Sequence, residues 1–412
     1  MESICQKEIY MGKFKDKRLD KRASRLSALL LAGRSSSIHE ISPTEAEQKA
    51  TYRFLKNEKT KEGILIRTVK ERSSYLCTGK EVLVLQDTTD FNLTNHRGRL
   101  QPNTGIGLAG GSDKWMGFFL HSSLVLDARE ETVLGFSDIQ LWHREEGKLT
   151  KEQGGYKRLP IEEKESFKWI KACKESKQHL LAASSITFIE DREGDIYEQF
   201  ASIPDERTHL IIGSRDNRNL SNGNKLFDEL SQQTPAGSYA IELITEIRKG
   251  VEKRTAVVEV RFCKVNIVRS AAKKKDIASQ VELYAIEVKE INARVANPII
   301  WRILTTHLVN SYEHAIRIIN NYRKRWYIEP LFRLLKKKGF DIQSSELESG
   351  WAIGKLMVMI LNAALRVMQL LLAYDNEQSQ PIEQVFDPGE IKCLEGLNKT
   401  LQGDTEKSKN KH

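Results

Sequence analysis

Marks of an exported or disulfide-bonded protein are scarce in this chain of 412 residues. Its five cysteines (Cys5, Cys77, Cys173, Cys263 and Cys393) lie far apart with no CxxC pair. That pattern argues against a disulfide framework and a zinc ribbon, and fits a reducing compartment. The start, Met1-Glu2-Ser3-Ile4-Cys5, has no basic region leading into an apolar run, so no secretion signal is expected. A membrane span needs about 20 mostly apolar residues. The most apolar stretch, Leu356 to Tyr374, is broken by Asn362, Arg366 and Gln369, and reads as a buried helix. Internal repeats are absent as well. The expectation is a cytoplasmic protein with no membrane partner.

What is present is a large soluble composition with a basic excess. Hydrophobic residues make up 40% and charged residues 29%, enough for a substantial core. The length allows roughly two or three domains of ordinary size. A formal charge of +9 and a pI near 9.1 point weakly toward a polyanion such as nucleic acid.

The texture changes along the chain. Residues 13 to 25 read KFKDKRLDKRASR, seven Lys or Arg against two Asp. Leu19, Ala23, Leu26 and Leu30 follow helical spacing, which puts the basic side chains on the opposite, solvated face. Ser42-Pro43-Thr44-Glu45 reads as a helix start with proline in the first turn, leading to Tyr52, Arg53 and Phe54. Residues 1–72 are therefore expected to form a small all-α domain. From Glu81 to Asp87 a nearly continuous apolar run predicts a buried strand ending at an acid. A Gly-rich connection (Asn103 to Ser112) leads to a second strand, Met116 to Leu126, containing His121. Ile186 to Asp191 is a third strand ending at an aspartate, and helical stretches at 161–181 and 195–201 complete an α/β pattern. Residues 205–308 read as a β-rich insertion, with strands at His209–Gly213, Tyr239–Ile244, Thr255–Val268, Val281–Val288 and Ile299–Thr305. From Tyr312 to about Tyr374 the chain is helical again, which closes an α/β core spanning 73–375. The C-terminal segment 376–412 includes a polar tail from Gly396 that is expected to be disordered.

Asp87 and Asp191 both fall at predicted strand ends, where ligands of open α/β sheets gather. Hard cations such as Mg²⁺ prefer carboxylate oxygen, and two or three acids can hold a pair of ions for in-line displacement at phosphorus. The plainer alternative for either Asp is a turn or a helix cap. Residues 322 to 338, YRKRWYIEPLFRLLKKK, are more specific. On a straight helix Tyr322, Arg325, Glu329 and Lys336 project within roughly a 60° arc, a carboxylate flanked by two cations and a phenol. Such a stripe suits a phosphodiester held by neighbouring phosphates. A merely solvated basic face, with seven Lys or Arg, would not need its one acid within the stripe. His121 reads as a core histidine rather than a ligand.

Tyr322-x2-Arg325-x3-Glu329-x6-Lys336 resembles the Tyr-Arg-Glu-Lys signature of bacterial Asp-Asp-Glu transposases of insertion-sequence family four, the transposon-five type. Gln86-Asp87-Thr88-Thr89 and Asp191-Arg192-Glu193-Gly194-Asp195-Ile196 resemble the family's two aspartate motifs. Lys164-Glu165-Ser166-x-Lys168-Trp169 has a counterpart too, and Asp16 to Arg25 with Tyr52-Arg53-Phe54-Leu55-x-Asn57 resembles its N-terminal DNA-binding domain. The match runs in order from about residue 10 to 400.

The resemblance implies an RNase H-like core interrupted by a β-rich insertion, and cut-and-paste transposition with Mg²⁺ or Mn²⁺, two ions per site. It implies that Asp87, Asp191 and Glu329 are catalytic metal ligands. Tyr322, Arg325 and Lys336 would touch phosphates near the cut. Double-stranded DNA, as transposon ends and target, would be the partner, bound by a homodimer through residues including Arg18, Arg22, Arg25 and Arg53. Hairpin formation would extrude a base onto Trp301, an aromatic face worth about 1–3 kcal/mol of stacking; a core tryptophan is the alternative reading. Arg215 and Arg218 are further phosphate-contact candidates. Three departures stand out: Gly213 replaces an expected basic residue, Pro330 follows Glu329, and the sequence stops after a charged tail where relatives are expected to continue into a helical region that pairs two subunits. Pro330 implies either a bend or a new helix with proline in its first turn. Rival readings are a catalytically silent transposase-derived repressor or inhibitor, and a structure-selective nuclease without strand transfer.

Overall fold

The computed structural model describes residues 9–110, 115–145, 159–247, 250–271, 276–291, 298–336, 339–375, 391–392 and 395. The polar tail from Gly396 lies outside the described residues.

Four helices come first: α1 (Lys17–Gly33), α2 (Ile38–Ile41), α3 (Glu45–Lys56) and α4 (Glu62–Leu76). Local chemistry sets their starts. The Asp16 carboxylate accepts from the N–H of Arg18, and the Thr44 hydroxyl accepts from that of Glu47. Pro43 precedes the Thr44 cap rather than sitting in the first turn of α3. These helices do not stand apart. Leu26, Leu30, Phe54 and Leu65 join one core with Ile353, Leu356 and Met357 of the last helix, α10 (Gly350–Asp375). By length and composition Gly350–Leu372 could cross a membrane, yet 78% of its apolar window is buried inside the protein. It is the central core helix, as its polar interruptions predict.

Ten strands form one sheet in the order β2-β3-β1-β5-β6-β10-β9-β8-β7, with β4 also paired to β3. Their ranges are β1 Glu81–Asn92, β2 Gly107–Leu108, β3 Met116–Asp127, β4 Val133–Trp142, β5 Ser185–Glu190, β6 Thr208–Gly213, β7 Gly237–Ile247, β8 Gly250–Val268, β9 Gln280–Glu290 and β10 Ile300–Thr305. β4, β3 and β1 are antiparallel, whereas β1, β5 and β6 are parallel. Sequence patterning does not predict β4. Register shifts against β3 and Gly135 at φ 144° break its alternation, and Gly135 also lets the β4 backbone approach Ser73 of α4. β6, grouped with the insertion by its β-rich texture, pairs with β5 instead. β10, β9, β8 and β7 then carry the same sheet onward.

The sheet has a buried cluster on each face. Leu83, Leu85 and Ile189 face α1, α8 (Tyr312–Arg323), α9 (Ile328–Leu335) and α10. Val82, Val84, Ile186 and Phe188 face α5 (Phe167–His179) and α6 (Tyr197–Ser202). Because side chains alternate along a strand, this division decides which residues can reach the site.

Candidate active site

β1 and β5 run parallel with Leu85 opposite Ile189. Asp87 lies two residues past Leu85 on β1, and Asp191 immediately follows β5, so both acids lie near the same end of this parallel pair. Both acids follow the parity of Leu85 and Ile189, the face covered by α8, α9 and α10. Asp87 does not end its strand as expected: β1 runs on to Asn92, paired with β3 alone beyond the end of β5.

The Asp87 carboxylate accepts a 2.7 Å bond from the Thr88 N–H at Oδ1 and a 3.1 Å bond from Arg325 Nη1 at Oδ2. Burial, together with the charges of Asp191 and Glu329, pushes its pKa up to about 6 against the opposing Thr88 N–H and Arg325. Asp191 is raised too, chiefly by burial. Its Oδ1 accepts from the Glu193 N–H at 2.7 Å and caps the turn Arg192–Gly194, so the plainer role foreseen for a post-strand aspartate is present as well. Asp87 therefore feels both other acids, from strands and a helix far apart in sequence.

The segment carrying Glu329 is not one straight helix. α8 ends at Arg323, a 3-10 turn covers Lys324–Tyr327, and α9 begins at Ile328 with Glu329 and Pro330 in its first turn. Of the two outcomes Pro330 permits, the new helix is the one found. Proline's missing N–H is harmless there, because the first N–H groups of a helix have no internal partner. The 60° arc consequently does not survive. Tyr322 lies on α8, Arg325 in the 3-10 turn and Lys336 just past α9. Lys336 Nζ stands 3.9 Å from Asp90 and over the ring of Phe91, farther along β1 than Asp87. Arg325 also stacks on Trp326, which is 60% exposed and was not singled out by its sequence context.

Tyr322 is partly buried and within electrostatic reach of Arg325, Asp191 and Arg192. A Cβ on Gly213 would lie 2.5 Å from its hydroxyl. With Tyr322 in this position, a side chain at 213 would meet the phenol.

Arg215 and Arg218 separate in role. Arg218 donates from Nε to Asp195 Oδ1 at 3.0 Å, and Asp195 is 2% exposed, so this guanidinium is committed to a buried ion pair. Arg215 pairs with its exposed neighbour Asp216. It lines a cleft of about 460 Å³ with Lys164, Lys168 and Glu193. Lys168 lowers the pKa of Asp191 and connects the Lys164–Trp169 motif to the acids. Trp301, on β10, is half-buried and packs on the main core. Of the N-terminal arginines, Arg18 and Arg53 are exposed, whereas Arg25 pairs with Glu47 at 2.7 Å and Arg22 lies close enough to Glu47 to lower its pKa. His121 is a core residue as expected: it bonds Thr88 Oγ1 at 2.9 Å, meets Trp169 edge-on, and burial holds its pKa well below the usual value.

Among the described residues, no three His, Cys, Asp or Glu side chains approach closely enough to hold a metal ion. In kind and charge the donors still fit a hard divalent cation: three carboxylates, with Asp87 destabilised by its acidic neighbours. Asp87, Asp191 and Glu329 are the residues that could hold one.

Fold and site together define a mixed α/β protein with a carboxylate site where two parallel strands meet a broken helix. Residues 1–60 match the transposase DNA-binding family model. Among solved structures, the chain is similar to a piggyBac transposase in a synaptic complex with hairpin DNA, at 9% identity, a TM-score of 0.32 and coverage of 80% of this chain. It spans 55% of that transposase chain, about half its length.

Proposed function

We propose that the protein is a DNA transposase that cleaves transposon ends and joins them to target DNA with Mg²⁺ or Mn²⁺. The observation that carries this reading is geometric: Asp87 and Asp191 lie near the same end of the parallel β1–β5 pair, and Arg325, from the turn leading to Glu329, bonds Asp87. The family match over residues 1–60 supports DNA as the partner. The strand order β4-β3-β1-β5-β6, three antiparallel strands then two parallel ones, supports an RNase H-like core.

When bound between the three acids, divalent cations would activate water and neutralise charge developing at phosphorus. Asp87, Asp191 and Glu329 are the residues that would hold them. Arg325, bonded to Asp87 Oδ2, is placed beside the acids, where its guanidinium could bind a phosphate of the DNA. Tyr322 and Lys336 bracket the scissile strand, and Arg215 with Lys168 receives the flanking phosphates. Trp301 is the stacking candidate for a hairpin intermediate, and Arg18, Arg22, Arg25 and Arg53 serve end recognition in a homodimer. One observation favours the silent repressor as second reading: Arg325 occupies Asp87 and the acids do not close into a metal-ligand group among the described residues.

Incubating the protein and Mg²⁺ with its own element's end sequence separates these readings. Hairpin ends support transposition, open ends a simple nuclease, and a salt-sensitive band shift without cleavage the repressor. Asp87→Ala is expected to abolish cleavage and leave end binding largely intact; loss of both with the fold preserved counts against a purely catalytic Asp87.

A further inference from the structure

The residues just before the two aspartates, Gln86 and Glu190, point to the opposite face of the sheet, into the cluster under α5 and α6. Both are fully buried. There they meet through Cys173 of α5 and Gln199 of α6. Gln86 Nε2 donates to Cys173 Sγ at 3.4 Å, and Cys173 Sγ donates to Glu190 Oε1 at 3.5 Å. Gln199 Nε2 donates to the same Glu190 oxygen at 2.6 Å. The other Glu190 oxygen fills the space that a side chain on Gly194 would take, inside the turn that Asp191 caps.

Four polar side chains in an apolar cluster are costly to bury, and here Gln86 Oε1, Glu190 Oε2 and Gln199 Oε1 have no partner among the described residues. The bonds that are made all run through Cys173 Sγ and Glu190 Oε1, and shifting the elements that carry them would break these as well. Here those elements are β1, α5, β5 and α6, and the network spans from the strand of one aspartate to that of the other. We propose that Gln86, Cys173, Glu190 and Gln199 form a brace behind the sheet that sets the separation of Asp87 and Asp191, making Glu190 a positioning residue for divalent cation binding. This rests on the metal-dependent reading of the site and deepens it. Cysteine and amide partners hold the acids' backbone without competing for the cation, because they lie on the opposite face.

Mn²⁺ binding to the full chain, read from the electron paramagnetic resonance signal of free Mn²⁺, tests the brace without any need for cleavage. Glu190→Ala is expected to weaken Mn²⁺ binding about tenfold, the lower end for loss of a supporting partner behind a metal ligand. Glu190→Gln keeps an oxygen for Gln199 and is expected to restore near wild-type binding. Should Glu190→Ala fail to fold, Gln86→Met removes the donation to Cys173 while filling the same space, and the same loss is expected. Folded Glu190→Ala or Gln86→Met protein that binds Mn²⁺ as tightly as wild type overturns the brace alone. Wild-type protein that binds no Mn²⁺ overturns the metal-dependent reading and the brace with it.

Discussion

Gly213 and His307 show how much a single residue depends on what the fold sets beside it. Gly213→Ala places a methyl group against the Tyr322 hydroxyl. Overpacking of this kind costs about 1–3 kcal/mol. Expected outcomes are a lower melting temperature and at least a severalfold loss of cleavage, with stability recovered when Tyr322→Phe is added. Unchanged melting in the single variant would remove the steric account of this glycine. His307 stacks on His209 at 4.1 Å and bonds Thr187 Oγ1 at 2.9 Å. Burial, with the nearby His209 and Arg317, depresses its pKa to about 3. The unfolded chain takes up that proton near 6.5. Stability from this group is therefore complete above about pH 6.5 and is lost as pH falls toward 3. His307→Gln should flatten the fall in urea midpoint between pH 7.5 and 5, leaving a residue from His209, which is also depressed. Parallel pH profiles for the two proteins would contradict it.

At the scale of elements, the loop after β6 hangs on Asp195. This buried carboxylate accepts from the N–H groups of Arg215 and Asp216 at 2.9 and 3.2 Å and from the Arg218 guanidinium. Removing one partner of such a pair leaves an uncompensated charge, at a cost of about 3 kcal/mol. Arg218→Ala is thus expected to lower the melting temperature while leaving the salt dependence of DNA binding intact. A flatter salt slope with unchanged melting would return Arg218 to the phosphate-contact residues. Sequence proximity made Arg215 and Arg218 look alike, since both follow the same strand; only the position of Asp195 separates them. The helix carrying Glu329 teaches the same lesson. Spacing named Tyr322, Arg325, Glu329 and Lys336 together, but the turn and restart at Pro330 spread them apart, Tyr322 against Gly213 of β6, Arg325 on Asp87 and Lys336 near Asp90 of β1.

Across the whole molecule, the N-terminal helices and the sheet share α10 as a common support. Lys355 of α10, 8% exposed, donates from Nζ to the carbonyls of Leu55 and Asn57, each at 2.9 Å, and so caps the end of α3. Lys355→Met is expected to cost about 1–3 kcal/mol by removing its bond to the Leu55 carbonyl, the Asn57 carbonyl keeping the Thr60 N–H. Limited proteolysis should then quicken between α3 and α4, near residues 57–61. An unchanged digestion pattern would show that apolar packing alone holds the helices. A separate helical unit was the natural expectation from a basic, amphipathic N-terminus. Its apolar face in fact needs Ile353, Leu356 and Met357, more than 270 residues away, to be covered.

By itself the sequence determined that strands run toward Asp87 and Asp191, that α10 is apolar but interrupted, and that Glu329 lies among cations. Each of these is local, written in alternation, run length and spacing. Only the tertiary structure decided that Gln86 and Glu190 meet behind the sheet, that β6 pairs with β5, that Tyr322 fills the place of a side chain at 213, and that Arg218 is spent on Asp195. Those outcomes depend on parallel register and on contacts between residues distant in the chain, and neither leaves a periodic trace in the order of amino acids.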